Sequence, residues 1–538
     1  MDMTPAETTS QVDFDGETLD IPSVRRVAEG GAPSRLSPAT LAKVAAGRAL
    51  CEEVVEQGVP VYGITTGYGD LGYIAVNTTK ETELQLNLVR SHSAGVGPVF
   101  AEDEARAMVA ARLNAFARGY SAVRVEVLEQ LATYLNRGIT PAIPELGSLG
   151  ASGDLAPLSH IASALIGEGY VLRDGQPVPT GPVLRELGIE PLQLRYKEGL
   201  SLINGTSAMT GLGALVTARA LDQVRQAEIV AALVVETMRG STGAFMAEGH
   251  ELARPHQGQV DNAANMRALL SGSRIALDHA ELRRQVKEQT QDMANVQRTK
   301  TYLQKAYTLR AVPQVVGAIR DTVYHATRVV ETELNSSNDN PLFFEGQEVF
   351  HGANFHGQPV AFAMDFLMLG LTQLGVMSER RTNRLLNRHL NGGLPEYLVS
   401  NGEPGLHSGF TAVQYVATAL VAENRTVGPA STQSVPSNSD NQDVVSMGLI
   451  AARNARRVLA NNNHILAVEF LSAAQAVDLG ETYDLLSPVG KATYDLVRSL
   501  APTLDRDRYM ADEMERVAAA VARGDFLRAA AEHSVTLR

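Results

Sequence analysis

The sequence predicts a mainly α-helical protein in which a long central helical bundle follows a mixed N-terminal region. Three observations carry that reading. Residues 210–240 keep helical spacing of apolar side chains throughout, and residues 444–480 contain neither Gly nor Pro between Gly448 and Gly480. Residues 359–389 are apolar on nearly every side at their start. Helices that are hydrophobic all round must be enclosed by others, and their length suggests a bundle shared between subunits. The change of character falls at Leu202, so residues 1–201 read as one region and residues 202–538 as the bundle with its C-terminal helices.

The elements follow in order. VPVYGITTGYGD reads as a short strand entering a Gly-rich loop. EDEARAMVAARLNAFARGYS and VRVEVLEQLATYLNRG show helical periodicity, each closed by Gly. In GSLGASGDLAPLSH, Asp154 is placed to cap a helix and Pro157 is tolerated in its first turn. YVLRDGQPVP predicts a hairpin turning at Asp-Gly. Within the bundle, PLFFEGQEVFHG is the one strand-like break, and RYMADEMERVAAAVARGDFLRAAAEH predicts an amphipathic helical pair.

Bulk properties narrow the function. At 538 residues the chain exceeds a single ordinary core. Its net charge of −13 opposes nucleic-acid binding, which needs clustered Lys and Arg. Cys51 is the sole cysteine, so neither an intrachain disulfide nor a cysteine-based zinc site is expected. The acidic, polar start is unlike a signal peptide, and Asp365, Thr372 and Gln373 interrupt the most apolar stretch, 360–376. A core helix, no membrane span and a cytoplasmic location are therefore expected.

The Ala151-Ser152-Gly153 tripeptide has a chemistry of its own if the fold bends it tightly. The Gly153 amide nitrogen can attack the Ala151 carbonyl carbon, closing a five-membered ring with loss of water. Gly suits this step because no Cβ blocks the approach. Loss of the Ser152 hydroxyl as a second water leaves an exocyclic methylene, and the product, 4-methylidene-imidazol-5-one (MIO), is a strong electrophile. Two rival readings are weaker. A serine hydrolase using Ser152 lacks the Gly-x-Ser-x-Gly elbow, and His160 lies roughly 12 Å along the helix, too far to serve as its base. A non-catalytic helical scaffold leaves the polar loops without a purpose.

GSLGASGDLAPLSHIA resembles the signature of the aromatic amino acid ammonia-lyase and aminomutase family, which uses this prosthetic group. VYGITTGYGD, LINGTSAMTG, YLQKAYTLRAVPQVVG, ELNSSNDNPLFF, GANFHGQPVAF and SNSDNQDVVSMGLI resemble further motifs of that family, in family order. The resemblance implies a histidine/phenylalanine ammonia-lyase-like fold, a homotetramer with sites built from several subunits, and no metal or diffusible cofactor. It makes Tyr62 the base that removes the substrate's β-proton. A phenol of pKa ~10 is a poor base at neutral pH, so the loop must stabilise the phenolate, for instance with backbone N–H donors. The resemblance further implies that Arg310 pairs with the substrate carboxylate as a planar fork. It places Asn204 near the prosthetic group, Asn340 beside the carboxylate, and Gln304, Tyr307 and Phe355 around the substrate.

The ring-binding end decides which amino acid is used. Family members acting on histidine carry a Glu in a NQED-type segment, and here DNQDVVSM puts neutral Gln442 at that position. His92, in RSHSAGVGP, sits where the family senses the ring, and Tyr415, in GLHSGFTAVQY, offers a second polar group. Together they favour tyrosine, or a ring-modified tyrosine, over phenylalanine. The likeness runs to bacterial tyrosine 2,3-aminomutases that make β-tyrosine for enediyne antibiotics, with Asp70 as a departure where Glu is expected. The implied reaction converts L-tyrosine to β-tyrosine through 4-coumarate. The alternative is an ammonia-lyase that releases ammonia.

Overall fold

Helices Ser207–Thr237, Gln358–Leu386 and Gly448–Leu479 occupy the three stretches whose periodicity predicts them. In the computed structural model, which describes residues 10–292 and 295–538, they pack on one another, and the first two also pack on Val312–Leu334. Ser207–Thr237 is buried along almost its whole length, with Ala208, Leu212, Leu215, Val224 and Val234 enclosed. Two buried ion pairs fix neighbours in register. Arg381 holds Glu469 bidentately between the second and third helices, and Arg320 meets Glu228 at 2.8 Å. Loss of either partner would strand a buried charge at a cost of about 3–5 kcal/mol.

Gln358–Leu386 is long and apolar enough to cross a membrane by composition alone, yet 67% of its most apolar window is buried in the fold. Its remaining flank is not enclosed within one chain: Phe362, Phe366 and Leu369 are all exposed. They recur at helical spacing and form an apolar stripe.

The N-terminal region is helical with small sheets. Glu102–Ala117 and Val125–Arg137 form as predicted, and the first packs against Ser207–Thr237. Tyr170–Arg173 and Gln176–Pro179 make the predicted hairpin, with Asp174 and Gly175 both at positive φ in its turn. Ala511–Ala522 and Asp525–Glu532 form the predicted terminal pair.

Three local expectations are corrected. Residues 59–62 do not form a strand. The Val61 carbonyl accepts from the Ile64 and Thr65 N–H groups, which curls the chain into turns leading to the short helix Gly69–Tyr73. The predicted strand pair at 341–352 reduces to one bridge between Leu342 and Phe350. Asp154 precedes Leu155–Leu165 but makes no side-chain cap there. Its carboxylate instead accepts from the Met209 N–H at 2.7 Å and the Ser148 hydroxyl at 3.1 Å, tying the tripeptide to the start of the long helix.

Candidate active site

Residues 150–153 are folded into a tight turn. Gly150 and Gly153 bridge one another, Ser152 takes the left-handed φ of +51°, and Gly153 follows at +78°. The left-handed region is sparsely used by residues with a Cβ and recurs where strain serves function. The turn is pinned to LINGTS: the Gly205 N–H donates to the Ser152 carbonyl at 3.1 Å, and the Asp154 N–H donates to the Gly205 carbonyl at 2.7 Å.

Below the turn, Arg112 is fully buried and donates to the backbone carbonyls of Ser201 and Asn204 and, at 3.0 Å, to Asn338 Oδ1. Its desolvation lowers the guanidinium to about 10. Burial raises the Asp154 carboxyl to about 7, opposed by its hydrogen bonds and by Arg112.

A cavity of about 750 Å³ opens over Ser152. It is lined by Tyr62, Tyr68 and Gly69 from the glycine-rich loop, Leu88 and His92 from helix Glu81–His92, Asn204, and Gln442. Its lining is largely apolar, as an aromatic ring requires, with few polar groups converging. The Tyr62 phenol oxygen accepts from the Gly69 N–H at 2.6 Å. Burial holds the Tyr62 pKa above that of a free phenol, and this backbone donor offsets only part of the rise.

His92 Nδ1 lies 3.0 Å from the Leu88 carbonyl. Nδ1 also lies 3.0 Å from the Ser91 hydroxyl, and in the tautomer that donates to the Leu88 carbonyl Nε2 is the acceptor. Gln442 Oε1 accepts from the Ser437 hydroxyl at 2.9 Å. Asn204 Oδ1 is buried with no hydrogen-bond partner among the described residues. Such an orphaned acceptor beside the turn fits a group that donates to it.

The remaining residues singled out from sequence do not reach this cavity within one chain. Gln304 and Arg310 line a second cavity of about 230 Å³ with Ser241 and His279. Arg310 spends its Nε on the Lys305 carbonyl, stacks 4.7 Å over Tyr307, and has no carboxylate partner among the described residues. Tyr307 and Tyr415 are 71% and 64% exposed. Asn340 is buried and accepts from the Gly352 N–H at 2.7 Å, while Phe355 is half-buried nearby in sequence.

Sequence reasoning missed three residues around Tyr62. His351 Nε2 accepts from the Tyr62 N–H at 3.3 Å, Tyr68 stands edge-on to the Tyr62 ring at 6.3 Å, and Asn438 lies directly over Gly69. Tyr68 was in view within YGITTGYG. Nothing in the sequence marks the other two as its neighbours.

A profile described as aromatic amino acid lyase matches residues 19–499. The chain is 67% identical over 528 residues, 98% of each chain, to an MIO-dependent tyrosine 2,3-aminomutase of Streptomyces globisporus. It is 57% identical over 514 residues to a tyrosine ammonia-lyase of Cupriavidus metallidurans, covering 95% of this chain and 96% of that relative. The crystal structure of tyrosine aminomutase from Streptomyces globisporus superposes with a TM-score of 0.96 at 66% identity, covering 98% of this chain and 100% of that one.

Proposed function

The chain belongs to the aromatic amino acid lyase family, and from that premise we propose that it is a tyrosine 2,3-aminomutase converting L-tyrosine to β-tyrosine through 4-coumarate. The observation that carries this reading is the Tyr62 phenol, held by the Gly69 N–H at 2.6 Å, facing the same cavity as the Ser152 turn. The 67% identity to a tyrosine 2,3-aminomutase supports the choice of substrate and outcome.

Ala151, Ser152 and Gly153 fit a methylidene-imidazolone, which would supply an electrophilic methylene for the substrate amine. Gly205 donates to the Ser152 carbonyl at 3.1 Å and so draws electron density from that oxygen. Tyr62, as phenolate, takes the proton from the substrate β-carbon, and the Gly69 N–H stabilises its charge beforehand. His92 Nε2 accepts from the substrate's phenol hydroxyl and so orients the ring. Neutral Gln442 leaves the ring end without the carboxylate that an imidazole calls for. Retention of 4-coumarate in the cavity decides between isomerisation and release.

The carboxylate fork comes from another copy of the chain. Arg310 is without an acidic partner among the described residues, and Tyr307 and Tyr415 are exposed. The stripe of Phe362, Phe366 and Leu369 supplies an apolar face for assembly. A homotetramer with shared sites accounts for both. Sedimentation combined with turnover tests the reading. A tetramer that consumes L-tyrosine in preference to L-histidine supports it, and an active monomer or a preference for L-histidine overturns it.

A further inference from the structure

Gln85 is completely buried on helix Glu81–His92 and does not line the cavity. All of its amide is engaged. Oε1 accepts from the Leu200 N–H at 3.1 Å, and Nε2 donates to the Gly63 carbonyl at 3.0 Å and the Tyr68 hydroxyl at 2.9 Å. Gly63 directly follows Tyr62, and Tyr68 directly precedes Gly69. One side chain therefore grips the loop beside each partner of the Tyr62–Gly69 hydrogen bond. Its third contact anchors both grips to helix Glu198–Ile203, which leads into Asn204.

The fit around Gln85 is close. A Cβ on Gly199 would lie 2.6 Å from the Gln85 carbonyl oxygen, so the two helices meet backbone to backbone here. A buried amide that only filled space would cost more than an apolar residue of its size, because every polar atom must be satisfied. An apolar side chain would fill the volume but hold neither end of the loop.

We propose that Gln85 is a positioning residue: by fixing Gly63 and Tyr68 together it keeps the Gly69 N–H on the Tyr62 phenol oxygen. The inference rests on the reading of Tyr62 as the base. The titratable groups around Tyr62 are Tyr68, edge-on at 6.3 Å, and His351, whose Nε2 accepts from the Tyr62 N–H. Asp70 follows Gly69 in the loop, and Asn438, which covers Gly69, is neutral. None of them replaces the Gly69 donor at the phenol oxygen.

The test is a tyrosinate absorbance titration in which the signal of Tyr62 is isolated by subtracting that of a Tyr62→Phe partner. It is done in the otherwise unaltered tetramer and again with Gln85→Leu. Loss of one hydrogen bond to a charged oxygen predicts an upward shift of roughly 1–2 pH units for Tyr62. At neutral pH kcat should fall by about tenfold or more, with KM for L-tyrosine changed far less, and activity should recover as pH rises. Tyr68→Phe removes a single oxygen and one of the three bonds. It should shift Tyr62 in the same direction by less, and it decides the matter if Gln85→Leu does not fold. An unshifted titration and pH profile in a folded variant, even a less active one, overturns the proposal. Full turnover by Tyr62→Phe alone would instead remove the reading on which it rests.

Discussion

Gly153 and Gly205 meet so closely that a Cβ on Gly153 would sit 2.1 Å from the Gly205 carbonyl oxygen. With φ at +78°, Gly153 is also in a conformation that side-chain-bearing residues rarely adopt. Gly153→Ala should therefore both destabilise the turn and prevent ring closure. Mass analysis of a peptide spanning 151–153 should show the loss of two waters in the native enzyme and none in the variant. Ser152→Ala should keep the fold and lose at most one water, because the missing hydroxyl is the second leaving water. A native tripeptide with unaltered mass in active enzyme would contradict the assignment.

Tyr62→Phe removes one oxygen at a half-buried site, so the fold should persist. Turnover of L-tyrosine should drop by at least ~10²-fold, the scale of a lost general base. Stopped-flow or steady-state assay measures this directly. Near-normal turnover would assign the β-proton to another group.

The bundle and the tripeptide were legible because each follows from local rules. Uninterrupted apolar periodicity has few solutions, and Ala-Ser-Gly in its Gly-rich frame has a chemistry that few other sequences share. The strand expected at residues 59–62 failed because alternation in VPVY says nothing about the Val61 carbonyl closing two turns. Asp154 stands where a cap belongs, but a partner 55 residues away, the Met209 N–H, takes its carboxylate instead. Gln85 was invisible for the same reason: ETELQLNLVRSH is an ordinary helix until Gly63, Tyr68 and Leu200 fold around it. Arg310, Tyr307 and Tyr415 stand in or beside family motifs, yet within one chain they do not reach the cavity over Ser152.

The proposed role of His92 is to accept from a phenol hydroxyl through Nε2, and a site built for that bond penalises a ring without it. L-Tyrosine should exceed L-phenylalanine in kcat/KM, and His92→Phe should narrow the gap by about tenfold or more, with most of the loss on L-tyrosine. Competition assays with both amino acids provide the measurement. An unchanged ratio would place ring recognition elsewhere.

Asp154 links the site to pH. Burial raises its carboxyl to about 7 in the folded chain, whereas an unfolded Asp ionises near ~3.9. Between these values the folded state holds the extra proton. The contribution of Asp154 to stability therefore declines as pH rises through that window, by up to about 1.4 kcal/mol per pH unit, and levels off above it. Glu236, also raised to about 7 by burial, adds the same trend in both proteins and cancels in a comparison. The melting temperature of the native protein minus that of Asp154→Asn should fall from pH 4 to pH 7. A flat or rising difference would mean that Asp154 is ionised in the fold throughout.

Isomerisation depends on the loop of Tyr62 holding 4-coumarate long enough for the amine to return. Gly69 takes part in that loop through its bond to Tyr62 and its contact with Asn438. The most direct measurement is a time course of products from L-tyrosine, with β-tyrosine, 4-coumarate and ammonia resolved from the first turnovers. β-Tyrosine should be the main early product, with 4-coumarate and ammonia appearing more slowly as the loop opens. Stoichiometric 4-coumarate and ammonia from the outset, with no β-tyrosine, would contradict it and identify a tyrosine ammonia-lyase.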